Sequence, residues 1–134
     1  MILLDSSVII AYSNLADVNH EKAFQVVRDI VKGKYGTSAI TDYIFDEVVT
    51  VMLVKTKNLR RIEEMGEKLL GANLMLRVDE EVFNLAWKMF EEQQKPRFSF
   101  TDCTSIATCR MNGISNIASF DEDLALKGLN IIGL

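Results

Sequence analysis

This chain is short of the residues that break, bridge or anchor a polypeptide. One proline, Pro96, and seven glycines in 134 residues leave no stretch that reads as a flexible linker. The two cysteines, Cys103 and Cys109, lie on one predicted helix, turned about 120° from each other around its axis, so they cannot pair there. With no C-x-x-C and no Cys/His cluster, a structural zinc site is not expected. The one histidine, His20, reads as a surface residue. The glycines form neither a G-x-G-x-x-G nor a P-loop, so no nucleotide cradle is visible. No apolar run approaches the roughly 20 residues of a membrane span. The first residues have no basic region and no long apolar stretch, because Asp5 interrupts them. A signal peptide is therefore not expected, and the chain reads as cytoplasmic. Positive charge is not in excess either. A net charge of −4 argues against a broad basic surface that would coat nucleic acid unaided, but an acidic site filled with metal is locally much less negative.

What is present is an ordinary globular mixture, 49% hydrophobic and 25% charged, long enough for one domain spanning residues 1–134. Strand-like and helix-like patterns alternate. Apolar runs at 2–4, 37–40, 74–78, 116–118 and 129–132 predict five strands. Helices are predicted at 8–14, 20–32, from 42 to about 57, from 59 to about 70, after Asp79, and at 103–112. The second helix carries Phe24, Val27 and Val31 at i, i+3 and i+7, which predicts an inward stripe; Ile106, Ala107 and Met111 predict another in the sixth. This alternation implies right-handed crossovers, and so an α/β fold with a central parallel sheet of about five strands flanked by helices.

Four carboxylates are placed where such a fold can gather them. Asp5 leaves the first strand at its carboxyl end, and Asp121 follows the run Ile117-Ala118-Ser119. Asp102 opens the predicted helix at 103–112. Glu47 lies near the start of the helix that follows the second strand. Ligands of open parallel sheets bind outside the carboxyl ends of the strands. Taken singly, each Asp has a structural explanation as a turn or N-cap residue. Glu47 is harder to dismiss, because Tyr43, Val51 and Val54 share its helical face and a carboxylate within an apolar stripe needs a partner. Four acids at one edge would repel one another by roughly 4 kcal/mol per pair 4 Å apart at an effective dielectric near 20. A divalent cation resolves that repulsion. Mg²⁺ and Mn²⁺ prefer oxygen donors and need only a few carboxylates plus phosphate oxygens, a set suited to phosphodiester hydrolysis. Ser6, Thr101 and Ser119 flank the acids and are candidates to orient them, with a competing role as caps. Asp123 is a possible peripheral acid. Lys55, Lys57, Arg60 and Arg61 form the densest basic cluster and could track an RNA backbone, although a solvated helix junction explains them as well. Lys95, Arg97 and Arg110 are read as lying near the Asp102 end. Phe83, Trp87 and Phe90 share a helical face and read as core or dimer packing in preference to base stacking.

The segments I-L-L-D-S-S-V-I-I at 2–10, T-D-Y-I-F-D-E-V-V at 41–49, F-S-F-T-D-C-T-S-I-A at 98–107 and N-I-A-S-F-D-E-D-L at 116–124 together resemble the PIN domain, including the toxins of VapBC toxin–antitoxin pairs. The resemblance spans essentially the whole chain and rests on order and spacing, each motif being short. It implies that Asp5, Glu47, Asp102 and Asp121 are metal-binding acids, with Asp123 at a commonly acidic extra position. It further implies RNA cleavage with Mg²⁺ or Mn²⁺, a homodimer, and an antitoxin partner. Ser119 stands where threonine is frequent in the family, and Leu124 where phenylalanine is. Neither departure removes an acid.

Three rivals follow from the same residues. A receiver-like phospho-acceptor module is also acid-edged, but it needs a lysine near the end of its last strand, and Lys127 precedes that strand. A non-catalytic RNA-binding protein could share the fold. A nuclease could take DNA in place of RNA.

Overall fold

The computed structural model describes residues 1–134. Five strands, β1 (Ile2–Leu4), β2 (Ser38–Thr41), β3 (Leu74–Leu76), β4 (Asn116–Ala118) and β5 (Asn130–Ile132), form one sheet in the order β3-β2-β1-β4-β5. Every pairing is parallel. The α-helices are α1 (Ser6–Ser13), α2 (His20–Val31), α3 (Asp42–Thr56), α4 (Leu59–Ala72), α5 (Glu80–Glu91) and α6 (Phe100–Asn112), and a 3-10 helix spans Glu122–Lys127. The α/β architecture expected from the alternation is thus the one observed.

Burial explains the strand order. β1 is wholly buried and apolar, as a central parallel strand covered on both faces must be. Its neighbours contribute Ala39, Ile40, Ile117 and Ala118, all fully buried. The edge strands β3 and β5 have no fully buried residue. From β1 the chain winds outward one way through β2 and β3, then returns to lay β4 and β5 on the other side. The strand order therefore reverses between β1 and β4, the switch point at which open parallel sheets form their ligand crevice, beyond the carboxyl ends of those two strands. Asp5 follows one of them and Asp121 the other.

Several local expectations change. In α2 the buried face is Ala23, Val26 and Ile30, not Phe24, Val27 and Val31; Phe24 and Val31 are exposed and Val27 is only partly buried. Small Ala23 allows α2 to lie close against α1. In α6, Ile106 and Ala107 are buried as expected, but Met111 is exposed. In α3 the buried face is Ile44, Val48 and Met52, and Val54 is exposed, so Glu47 borders an open face rather than an apolar stripe. Helix α6 begins earlier than predicted, because Ser99 is its N-cap and Asp102 its third residue. Asp102 therefore does not open that helix but sits within its first turn. No helix is long and apolar enough to cross a membrane.

Candidate active site

The crevice between β1 and β4 is stitched by side chains. Asp5 is buried and continues the β1 ladder, its N–H donating to the Ala118 carbonyl at 2.9 Å. Its Oδ2 accepts from Ser7 Oγ and from Ser119 Oγ, both at 2.8 Å. Each hydroxyl also accepts a backbone N–H from the loop after β4: Phe120 to Ser7 at 3.2 Å and Asp121 to Ser119 at 3.0 Å. A serine hydroxyl has one proton and two lone pairs, so both protons are committed to Asp5 while the lone pairs anchor the loop. One carboxylate oxygen is held, and Oδ1 makes no bond to the protein. Asp121 caps the 3-10 helix, its Oδ1 accepting from the Asp123 N–H at 3.0 Å. Gly133 closes the far side with φ +131; a Cβ there would come within 2.8 Å of the Ser119 carbonyl oxygen.

Asp102 is held differently. A capping box joins it to Ser99: Asp102 N–H donates to Ser99 Oγ at 3.0 Å, and Asp102 Oδ2 accepts from Ser99 N–H at 2.8 Å. The pattern S-F-T-D at 99–102 is the sequence signature of this motif. Desolvation pushes the Asp102 carboxyl above the usual carboxylate range. The bonds from Ser99 oppose that rise, and the charges of Asp5 and Asp121 add to it. Asp102 therefore shares an electrostatic field with Asp5 and Asp121, although 97 and 19 residues separate them in sequence. Glu47, in the second turn of α3, is half-buried and makes no ion pair.

The supporting residues divide. Ser119 binds Asp5 as expected. Ser6 does not, and its neighbour Ser7 takes that part, being the residue whose hydroxyl faces back across the strand end. Thr101 contributes its carbonyl, which accepts from Thr104 Oγ1 at 2.6 Å, so it acts on the helix and not on an acid. Asp123 pairs with Arg97 at 3.3 Å, which neutralises it at the rim. Lys55, Lys57, Arg60 and Arg61 gather where α3 meets α4, and Lys55 is about 12 Å along the helix from Glu47. Arg60 pairs with Glu64 at 3.7 Å, and Arg61 donates to the Ser13 carbonyl at 3.0 Å. Arg110 lies in the last turn of α6, about 12 Å along the axis from Asp102, so it is not beside the acids. His20 is half-buried, not a free surface residue, and its Nδ1 bonds the Ala11 carbonyl at 2.9 Å.

The donor set fits a hard cation. It is all carboxylate oxygen, and the nearest sulfur, Cys103, is buried with its thiol pKa pushed up by burial and by the Asp102 charge. No three acidic, His or Cys side chains are close enough to cage an ion. Mg²⁺ does not need a cage: it keeps several waters and uses one or two carboxylates with substrate phosphate oxygens.

Three comparisons bear on this geometry. The family model of the PIN domain matches residues 2–128. A VapC ribonuclease of Archaeoglobus fulgidus is 31% identical over 107 residues, covering 77% of this chain and 66% of that relative; the match thus spans just under two thirds of the relative's length. The 23S rRNA-specific endonuclease VapC20 of Mycobacterium tuberculosis is 23% identical over 128 residues, covering 96% of this chain and 95% of the relative. Its crystal structure, described as that of a Sarcin-Ricin loop cleaving toxin, superposes with a TM-score of 0.84 at 23% identity, covering 97% of each chain. At that identity the superposition speaks for the fold alone.

Proposed function

The chain belongs to the PIN domain family, and on that premise we propose that it is a metal-dependent endoribonuclease, the toxin of a VapBC-type pair, with RNA as substrate. The observation that carries this reading is the crevice itself. Asp5 is fixed by two hydroxyls at the point where the strand order reverses, and Asp102 carries a proton affinity raised in part by the charges of Asp5 and Asp121.

Asp5, Asp102, Glu47 and Asp121 would hold Mg²⁺ or Mn²⁺. Such an ion, when bound, supplies charge neutralisation at the attacked phosphorus and acidifies water in its shell. The chain's own residues do the rest. Ser7 and Ser119 prevent Asp5 from turning away, leaving Oδ1 to face the crevice contents. The capping box pins Asp102 Oδ2, so its other oxygen is the free one. Asp121 is positioned by the same loop bonds that hold Ser119. The hydroxyls beside the acids, Ser7 and Ser119, are committed to Asp5; Cys103 and Cys109 are buried with their thiol pKa values pushed up, that of Cys109 to about 12; and His20 is tied to α1. Water is then the attacking group. The reading extends to a cognate antitoxin, since one structural relative is described as a toxin, and to a homodimer, which follows from the family resemblance alone.

Cleavage of short RNA strands under single turnover tests the proposal. Mg²⁺ or Mn²⁺ should support it, EDTA should stop it, and Asp5→Asn should lower it by at least about 100-fold, the loss of several kcal/mol of charge stabilisation, with the circular dichroism spectrum unchanged. Full cleavage by folded Asp5→Asn and Asp102→Asn proteins would refute the metal assignment.

A further inference from the structure

From Cys103 to Cys109 every residue of α6 is buried, and three of them, Thr104, Ser105 and Thr108, carry hydroxyls. A hydroxyl taken out of water without a partner costs about 1–3 kcal/mol. Two of the three are met by the helix's own backbone: Thr104 Oγ1 donates to the Thr101 carbonyl at 2.6 Å, and Thr108 Oγ1 to the Thr104 carbonyl at 2.8 Å. Ser105 is not. It is 1% exposed, and its Oγ is the only buried side-chain oxygen or nitrogen without a hydrogen-bond partner. The acceptor that a helical serine usually takes lies four residues back, and that carbonyl, of Thr101, already serves Thr104.

Its place on α6 gives this orphan meaning. Ser105 follows Asp102 by three residues, about 60° around the helix and about 4.5 Å along it. Side chains at that spacing share a face, with Cβ atoms about 5–6 Å apart. Helical side chains also lean towards the N-terminus, so Ser105 leans over the turn that carries Asp102. There Asp102 Oδ2 is held by the Ser99 N–H, and Oδ1 accepts no bond from the protein. The charges of Asp5 and Asp121 act on Asp102, so this is the face of α6 turned towards the strand ends. Two unmet oxygens thus stand one helical turn apart, and the deeper one has a proton to give. Packing explains a small side chain at 105 but not its hydroxyl, which alanine would spare the fold.

We infer that Ser105 is a positioning residue for Asp102, acting through one bound water that accepts from Ser105 Oγ and donates to Asp102 Oδ1. A single water joins groups through two hydrogen bonds of about 2.8 Å each, which suits the separation of these side chains. Buried waters characteristically sit between polar groups that the fold leaves unmet. The bridge holds the carboxylate from beneath while the capping box holds it from the side. With the capping box alone the carboxylate is free to swing about its Oδ2 bond; with both, Oδ1 keeps a lone pair directed at a cation. The role rests on the metal-dependent reading above, and deepens it by naming a residue that contacts neither metal nor RNA.

Two measurements on the full chain without RNA test this. A high-resolution crystal structure should show a water within hydrogen-bonding distance of both Ser105 Oγ and Asp102 Oδ1; Ser105 Oγ bonded elsewhere would overturn the inference. Mn²⁺ affinity, read from the paramagnetic resonance signal of the free ion, should fall about 10-fold in Ser105→Ala, the lower end for groups that orient a metal ligand. Ser105→Cys keeps the volume but has only a weak donor, so it should fall almost as far. A role in packing alone would leave the Cys variant at wild-type affinity and overturn the inference, and the Cys variant carries the test if the Ala variant fails to fold. The two readings fail separately. Mn²⁺ binding that is lost in Asp5→Asn and unchanged in folded Ser105→Ala sinks the Ser105 role alone. A wild-type chain that binds no Mn²⁺ sinks the metal-dependent reading, and the Ser105 role with it.

Discussion

The two sides of the crevice are built on opposite principles. On the strand side, Asp5 and Asp121 sit at the ends of β1 and β4 inside a set of hydrogen bonds in which each serine proton goes to Asp5 and each serine oxygen accepts one backbone N–H. On the helix side, Asp102 is carried by the first turn of α6, and Glu47, on the second turn of α3, is proposed to join it. Asp102 has one local partner, Ser99, and Glu47 has no ion-pair partner at all. The strand side is satisfied by the protein; on the helix side, burial and the charges of Asp5 and Asp121 hold the Asp102 carboxyl above the usual range. That contrast suits a site whose fixed half gives geometry and whose unsatisfied half waits for external positive charge. It also resembles the general trade of stability for activity at functional sites.

The largest effect that would sharpen this contrast is expected at Asp102. Asn keeps an oxygen to accept from the Ser99 N–H but removes the charge. Asp102→Asn should therefore lower metal-supported cleavage by about 100-fold or more and yet raise the thermal unfolding midpoint in metal-free buffer. The sign follows from linkage. The folded-state pKa of Asp102 is raised above its unfolded value, so the charge destabilises the fold at every pH above the folded value. That penalty fades as pH falls through the folded value towards the unfolded one. The stability advantage of Asp102→Asn should grow as pH rises towards and past the folded value and close on acidification. An advantage that is absent at pH 7 would break the contrast between the two sides.

A smaller effect is expected from the strand side, with the opposite coupling. Ser119→Ala removes one proton donor from buried Asp5 and leaves the part-buried Asp121 N–H without its acceptor. Stability should fall by about 1–3 kcal/mol, and activity by about 10–100-fold, as for residues that orient a metal ligand. Ser119→Thr keeps the hydroxyl and should keep most of both. Here activity and stability fall together, whereas at Asp102 they separate. Denaturant melts combined with single-turnover rates decide between the two patterns.

How much of this is legible in the amino-acid sequence depends on sequence distance. Alternating apolar runs and amphipathic stretches imply a parallel sheet, because each crossover carries a helix. The acids at strand and helix ends were visible for the same reason. The partner of Asp5 was not so easily chosen: Ser6, Ser7 and Ser119 are all hydroxyls near a strand end, and only the fold shows that Ser7 and Ser119 converge on one oxygen while Ser6 does not. The first turn of α6 is readable, since Ser99 and Asp102 have capping-box spacing, but an aspartate at a helix start suits the N-cap equally well, and that alternative puts the expected start too late. In α2 two apolar stripes run side by side, one residue out of phase. Periodicity reports both, and only the close approach to α1 selects the one containing Ala23. The aromatic residues of α5 are recognisable as a face. Their meeting with Phe100 depends on tertiary packing.

The smallest effect concerns a place remote from both sides of the crevice. Lys57 ends α3 in the left-handed conformation, with φ 51 and ψ 29, and it is the only non-glycine residue with positive φ. A side chain there costs about 1–2 kcal/mol. Glycine removes that cost but loses about 0.5–1 kcal/mol of chain entropy on folding, so Lys57→Gly should stabilise the fold by roughly 0.5 kcal/mol in a denaturant melt. The same substitution removes one charge from the basic cluster at the α3–α4 junction. Lys57 is about 15 Å along α3 from Glu47, beyond the roughly 8 Å over which exposed charges act at physiological salt. If the cluster is a solvated helix junction, the concentration of RNA needed for half-maximal cleavage stays the same. A rise that disappears at high salt would instead give this cluster a phosphate contact and extend the RNA path along α3, away from the crevice. The strand and helix sides would then no longer account for all of the substrate's grip.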